Sequence, residues 1–476
     1  MAARRPSKTP LVTPTSFADL GVPGRLVAAL EQVGISTPFP IQAATLPDSL
    51  AGRDVLGRGR TGSGKTYAFA LPVLARFSSA TSPRLPGRPR SLILAPTREL
   101  ATQIEATIAP LAAALSLRTL TIFGGVSARP QVSALRAGVD ILIACPGRLA
   151  DHVSNGDAIL DTVEVTVLDE ADHMADLGFL PVVRRLLDKT PPRSQRLLFS
   201  ATLDAGVDVL VRRYLSNPVT HSVDSATSPV TAMTHHVLQV RHDDRLPVLV
   251  DLTAAPGRTL VFTRTKRGAK KLTRQLVASG VPAVELHGNL AQNTRTRNLA
   301  AFSAGDARTL VATDIAARGI HVDDVTLVIH ADPPAEHKAY LHRSGRTARA
   351  GASGTVVTLM TDDQVGDVRA LTRQAGINPT ITRLRPGDSL LTELAPGERR
   401  FVTPPAATTA PHHGRGHSGA GRRANPRTAT GGSTAGATRA RGTESRRASA
   451  GETTSAPRGA AAFSAGARVG SRRGRR

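Results

Sequence analysis

Along most of the chain, apolar residues fall in short continuous runs, separated by longer stretches where apolar and polar positions recur at helical spacing. The runs at 91–94, 119–123, 141–144, 165–168 and 196–199 do not alternate between apolar and polar. Strands of a parallel sheet covered on both faces read this way, whereas half-exposed strands alternate. Helical patterns at 101–115 and 182–189 lie between them. This succession predicts a doubly wound α/β domain over residues 17–221. Residues 222–234 are small and polar with one proline and read as a linker. The rhythm then restarts, with strands predicted at 237–240, 259–262, 283–286, 309–312, 326–329 and 355–359 in a second α/β domain over residues 235–387. Residues 1–16 are polar and proline-rich and are expected to form a mobile arm. No short-period repeat is present, and whether the two halves share one fold is open at this level.

Composition changes the picture at the C-terminal end. Of a net charge of +24 over 476 residues, +13 sits on residues 397–476, which hold 16 Arg, no Asp or Lys, and 3 Glu. Their only Ile, Leu, Val or Phe residues are Phe401, Val402, Phe463 and Val469. Such a segment cannot bury enough apolar surface to offset its ordering entropy, so residues 388–476 are expected to be a disordered Arg/Gly/Ala-rich tail suited to a polyanion such as nucleic acid. The charge surplus as a whole points to a polyanionic partner. The single cysteine, Cys145, excludes an internal disulfide and a cysteine-clustered zinc site. No apolar run reaches the 18 or so residues of a membrane helix, and no apolar stretch follows the basic N-terminus, so no membrane association and a cytoplasmic location are expected. Trp is absent and aromatics make up 3% of the chain, which argues against base recognition on broad aromatic platforms.

Two motifs carry chemistry. Gly59-Arg-Thr-Gly-Ser-Gly64-Lys65-Thr66 fits the phosphate-binding spacing G-x-x-x-x-G-K-[ST], after a short apolar run and before a helical pattern. Its N–H groups and the following helix N-terminus face the anion, with Lys65 toward the β/γ-phosphates and Thr66 on the Mg²⁺ side. About 100 residues later the apolar run 165–168 leads into Asp169-Glu170-Ala171-Asp172. In P-loop enzymes a carboxylate after a strand holds Mg²⁺ and a neighbouring residue positions the attacking water, roles that fall to Asp169 and Glu170.

With these residues the chain resembles the DEAD-box RNA helicases of superfamily 2, in their bacterial form, over residues 17–354 and with the family's motifs in order. The resemblance implies two RecA-like domains, ATP and Mg²⁺, RNA as partner, and RNA-stimulated ATP hydrolysis that opens short duplexes locally. It assigns adenine recognition to Gln42 and to stacking on Phe17. It assigns phosphate binding to Thr61, Gly62, Ser63, Gly64, Lys65 and Thr66, and metal binding to Thr66 and Asp169. Arg346 and Arg349 match its arginine fingers, a planar cation suited to γ-phosphate oxygens. Asp172, Ser200, Thr202 and His342 would couple nucleotide state to duplex opening. Backbone contacts to RNA fall to Pro96, Thr97, Arg98, Gly124, Gly125, Pro146, Gly147 and Arg148 in the first domain. In the second they fall to Arg264, Gln292, Arg295 and Thr313. Contacts of this kind position RNA without reading its bases. Ribosome assembly, RNA decay and cold adaptation are all settings of the family, and the sequence selects none of them.

The chain departs from the family in three places. His321 stands where an Asp usually contacts the ATP ribose, which implies weaker or pH-sensitive coupling of ATP. Cys145 replaces a Thr, removing a good hydroxyl donor. Gly57 and Gly59 stand where Ala is common, which implies a looser approach to the P-loop. Two alternatives stay open: an ATP-gated RNA clamp that separates little duplex, and a DNA-directed motor.

Overall fold

The computed structural model describes residues 16–59, 62–78, 83–223, 233–317, 324–348 and 353–403. The first half forms a seven-stranded sheet from β1 (Val55–Arg58), β2 (Ser91–Leu94), β3 (Thr119–Ile122), β4 (Ile141–Ala144), β5 (Val165–Leu168), β6 (Gln195–Ser200) and β7 (Val219–Ser222). All its pairings are parallel, in the order β3-β4-β2-β5-β6-β1-β7. The second half repeats the arrangement with β8 (Met233–Gln239), β9 (Arg258–Thr263), β10 (Ala283–Leu286), β11 (Thr309–Thr313), β12 (Val325–His330), β13 (Gly354–Met360) and β14 (Thr380–Arg383). Its order, β10-β11-β9-β12-β13-β8-β14, is the first order with seven added to every strand. The question left open by the sequence is thereby answered: both halves carry one topology.

Helices cover both faces of each sheet, and the strands split their side chains between two cores. In β4, Ile141 and Ile143 enter one cluster while Leu142 and Ala144 enter the other. In β11, Val311 faces one side and Leu310 and Ala312 the other. This two-sided burial is why the strands read as unbroken apolar runs. Strand order also locates the site. β5, β6 and β1 are neighbours, so the segments after Leu168, Ser200 and Arg58 emerge together at the carboxyl end of the sheet, where open α/β sheets bind ligands.

Two elements were not expected. β7 and β14 are edge strands, β7 alternating between half-buried and exposed residues (Val-Thr-His-Ser) and β14 mostly exposed (Thr-Ile-Thr-Arg), and both lack an apolar run. The boundary expected at residue 387 also moves. The helix Leu390–Leu394 buries Leu391 and Leu394 in the second domain's core. Arg399 grips Asp251 Oδ1 from Nε at 2.9 Å and Nη2 at 2.7 Å, and Val402 N–H donates to the Gly280 carbonyl at 2.8 Å. Residues 388–403 therefore belong to the domain and not to the tail. Their few apolar residues lie where packing needs them, and Arg399 serves as a clamp. Of the expected arm, linker and tail, residues 1–15, 224–232 and 404–476 lie outside the described residues. Among the described residues, no helix is long and apolar enough to cross a membrane.

Candidate active site between the two sheets

β1 runs into the P-loop, of which Gly59 and Gly62–Thr66 are described; Thr61 lies outside the described residues. Gly62 and Gly64 hold φ of +86° and +88°, the left-handed region that favours glycine. Gly64 then caps the helix Lys65–Phe77 without a side-chain bond, and the first N–H groups of a helix have no partner within it and suit an anion. Lys65 is buried and its Nζ donates to the Gly59 carbonyl at 2.6 Å, so the ammonium is folded back over the loop it serves. Ser63 and Thr66 are half-buried beside it.

Gln42, in the helix Pro40–Leu50, reaches this loop. Its Oε1 accepts from Phe39 N–H at 2.9 Å and its Nε2 donates to the Gly64 carbonyl at 2.8 Å. Both ends of the amide, expected on adenine, here tie a helix N-terminus to the P-loop, and the side chain is fully buried. Phe17, expected to stack on the base, is 1% exposed and packs in the first domain's core with Leu26 and Ile41. Its carbonyl accepts from Val22 N–H, a turn that folds the ring inward. The exposed aromatic at this corner is Phe39, half in solvent against Gly64, which sequence reasoning passed over.

The acids after β5 face the P-loop. Asp169 accepts from Glu170 N–H at 2.9 Å. Burial pushes its carboxyl up to about 7, against the pull of the Lys65 ammonium. Glu170 has φ of +50°, uncommon away from glycine, and opens the helix Ala171–Asp176. Burial alone would raise its carboxyl. The hydrogen bond from His173, with the charges of His173, Arg346 and Lys65, outweighs that and holds it at about 2. The bond runs between His173 Nδ1 and Glu170 Oε2 at 3.1 Å, and no sequence motif had singled out His173. A carboxyl that burial holds up, next to a hydroxyl-bearing P-loop, suits a hard ion held by few protein oxygens and by phosphate.

Three expected coupling residues meet. Asp172 Oδ2 accepts from Thr202 N–H at 2.9 Å and Thr202 Oγ1 at 2.8 Å. Ser200 Oγ donates to the Thr202 carbonyl at 2.7 Å and lies 3.2 Å from the Asp172 nitrogen. The fourth, His342, sits on the second domain's helix His337–Ser344, ahead of Arg346. Arg346 is buried, and its Nε donates to the His342 carbonyl at 3.3 Å. Arg343 fixes this helix: Nε and Nη2 clamp Asp314 at 2.5 Å and 2.7 Å. Arg349 and His321 lie outside the described residues.

The loops expected to face RNA are also brought together. Pro96 is buried, and Thr97 caps the helix Arg98–Ala114 by accepting from Leu100 N–H at 3.2 Å. At Gly125, with φ of +78°, an added Cβ would fall 2.6 Å from Arg98 Cζ, so the guanidinium lies flat on the glycine. Gly124 faces Arg148, whose Nη1 donates to the Val126 carbonyl at 3.1 Å; Pro146 and Gly147 open the same helix, Pro146–Ser154. Cys145 caps that helix with no side-chain bond, and burial pushes its thiol up to about 12. Arg264 is exposed and Thr313 buried at the end of β11.

Three residues expected on RNA instead meet across the cleft. Arg98 Nη1 donates to Gln292 Oε1 at 2.9 Å, and Arg295 Nε donates to Glu99 Oε1 at 2.8 Å. Arg295 and Glu99 are both buried, so this pair holds protein to protein. Glu99 follows directly on the expected RNA contacts Pro96, Thr97 and Arg98 but was not among them.

Residues 39–210 match the DEAD/DEAH box helicase family, and residues 242–351 match the helicase conserved C-terminal domain. The chain is 41% identical over 371 residues to a chloroplastic DEAD-box ATP-dependent RNA helicase of Zea mays, covering 76% of this chain and 50% of the relative. It spans about half the length of that and similar plant relatives. It is 38% identical over 420 residues to the ATP-dependent RNA helicase RhlB of Shigella dysenteriae, covering 86% of this chain and 99% of the relative. Among solved structures it resembles S. cerevisiae Dbp5 bound to RNA and ADP BeF3, with a TM-score of 0.70 and 25% identity over 80% of this chain and all of the other. Tandem RecA-like sheets, a P-loop facing paired acids, and this similarity along nearly the whole of a bacterial relative lead to one conclusion: the chain belongs to the DEAD-box RNA helicase family.

Proposed function

We propose that this protein is an RNA-stimulated ATPase that remodels or locally unwinds short RNA duplexes. The observation that carries the reading is that Lys65 and Glu170 of the first domain share one buried site with Arg346 of the second, whose charge helps hold Glu170 ionised. A site assembled from two domains works only when they are together, which ties hydrolysis to whatever draws them together. Lys65 binds the β/γ-phosphates, and Thr66 and Asp169 would hold Mg²⁺, which would supply charge neutralisation at the phosphates. Glu170, kept as a carboxylate and oriented by His173, accepts the proton of the attacking water. Arg346, with Arg349, stabilises charge on the transferring phosphoryl group. RNA lies along the loops of Gly124, Gly125, Arg148 and Arg264, and its backbone contacts make binding largely independent of sequence.

The test is ATP hydrolysis with and without single-stranded RNA. RNA stimulates the wild type, single-stranded DNA stimulates it far less, and Glu170→Gln lowers kcat by about 10² or more, the scale of a lost general base. Equal stimulation by DNA, or a fully active Glu170→Gln, overturns the reading.

A further inference from the structure

Lys338 stands in the first turn of the helix His337–Ser344, where a cation opposes the helix dipole. Local helix electrostatics therefore disfavour it, and its ammonium crosses to the first domain. Nζ lies 3.0 Å from Asp176 Oδ1 and 2.6 Å from Asp204 Oδ2. All three side chains are only a quarter to a third exposed, at 23%, 23% and 34%.

Both acids are anchored to the coupling cluster. Asp176 ends the short helix that contains Asp172. Asp204 follows Thr202 by two residues and caps the helix Ala205–Tyr214, accepting from Gly206 and Val207 N–H at 3.1 Å each. On the other side, Lys338 shares its helix with His342 and Arg343, just before Arg346. One ammonium thus joins the Asp172–Ser200–Thr202 cluster to the helix that presents the arginine finger. When the domains part, two neighbouring carboxylates lose their shared cation and repel each other.

We propose that Lys338 is an electrostatic latch, a positioning residue that sets how readily the second domain docks on the first. It touches none of the reacting atoms. The proposal deepens the ATPase reading, yet docking can be measured without hydrolysis.

The experiment follows energy transfer between dyes placed on one exposed residue of each domain in the full chain, with oligouridylate RNA and a non-hydrolysable ATP analogue. Lys338→Met raises the RNA concentration for half-docking about tenfold, the scale of one partly buried pair, and leaves kcat at saturating RNA within about twofold. Lys338→Glu, a third acid in the cluster, weakens docking further. Lys338→Arg stays near the wild type. Lys338→Glu combined with Asp176→Arg recovers docking, because reversed charges restore the pair and the Asp204 cap is untouched. Docking unchanged in Lys338→Met and Lys338→Glu overturns the latch, as does a reversed pair no better than Lys338→Glu. Transfer in the ligand-free chain separates the two readings. If it falls with Lys338→Glu and with salt at about 0.5 M, the latch stands even where RNA fails to stimulate hydrolysis. If it is insensitive to both, and docking in the presence of RNA and the analogue is also insensitive to both, the latch fails even where hydrolysis is normal.

Discussion

Between Gly57 and the Phe199 ring there is no room for a methyl group. A Cβ at Gly57 would lie 2.6 Å from Phe199 Cδ1, and Phe199 is itself fully buried against Phe69, ring centroids 5.6 Å apart. The glycine that read as a loosening of the P-loop is a place the core has filled. Gly57→Ala is expected to cost about 1–3 kcal/mol by overpacking, read as a lower midpoint in thermal unfolding of the first domain. An unchanged midpoint would mean that the ring shifts freely. At this scale Lys65, Asp169 and Glu170 stood out in the sequence because each sits inside a short local motif. The sequence was a poor guide where a side chain's partner comes from elsewhere in the chain. Gln42 meets Gly64 across 22 positions and Arg295 meets Glu99 across 196. Motif spacing carries no trace of either contact.

The helix Arg98–Ala114 begins at a threonine with two possible uses. Thr97 was expected to touch RNA, and its hydroxyl is spent on Leu100 N–H. Thr97→Ala should cost about 1 kcal/mol of first-domain stability as a lost cap. Chemical denaturation measures that cost, and RNA titration shows whether a separate contact goes with it. In the second sheet, β8, β12 and the helix His337–Ser344 enclose two histidines. His235 Nδ1 lies 3.1 Å from the Tyr340 hydroxyl, and His330 Nδ1 lies 3.0 Å from Thr358 Oγ1. Burial pushes His235 down to about 4, and burial with the nearby Arg343 and His235 charges pushes His330 well below its ordinary 6.5. Below about pH 6.5 the unfolded chain binds protons that the folded domain refuses. Second-domain stability is therefore complete above that pH and falls as pH drops toward 4, by up to about 1.4 kcal/mol per pH unit for each histidine. Urea unfolding at pH 7 and pH 5 checks this, and His330→Leu should flatten the slope. The elements themselves were legible wherever both faces were buried. β7 and β14 were not, because an edge strand needs only a partial apolar pattern.

At the scale of the whole molecule, charge divides by use. Arg399 holds the second domain together through Asp251, Arg343 organises the helix ahead of Arg346, and Arg295 joins the domains. Beyond residue 403 the sequence holds fourteen arginines against two glutamates. A chain ending at residue 403 should keep its unfolding midpoint and basal ATPase. It should bind RNA more weakly, with a shallower dependence of log affinity on log salt. Equal affinity and slope in the two chains would remove the tail from RNA binding. The doubled topology has a consequence of its own. β5 and β12 hold the same address in their sheets, so Asp169 after the one has a near counterpart in Asp332 after the other. Asp332 accepts from Arg264 N–H at 2.8 Å and pairs with Arg245, while its carbonyl accepts from Arg343 Nη1 at 2.7 Å. One blueprint was thus issued twice and furnished with opposite tenants. Where the first copy leaves its acid buried beside the P-loop lysine, the second uses its acid to seat arginines, so the two copies bring opposite charges to the cleft between them.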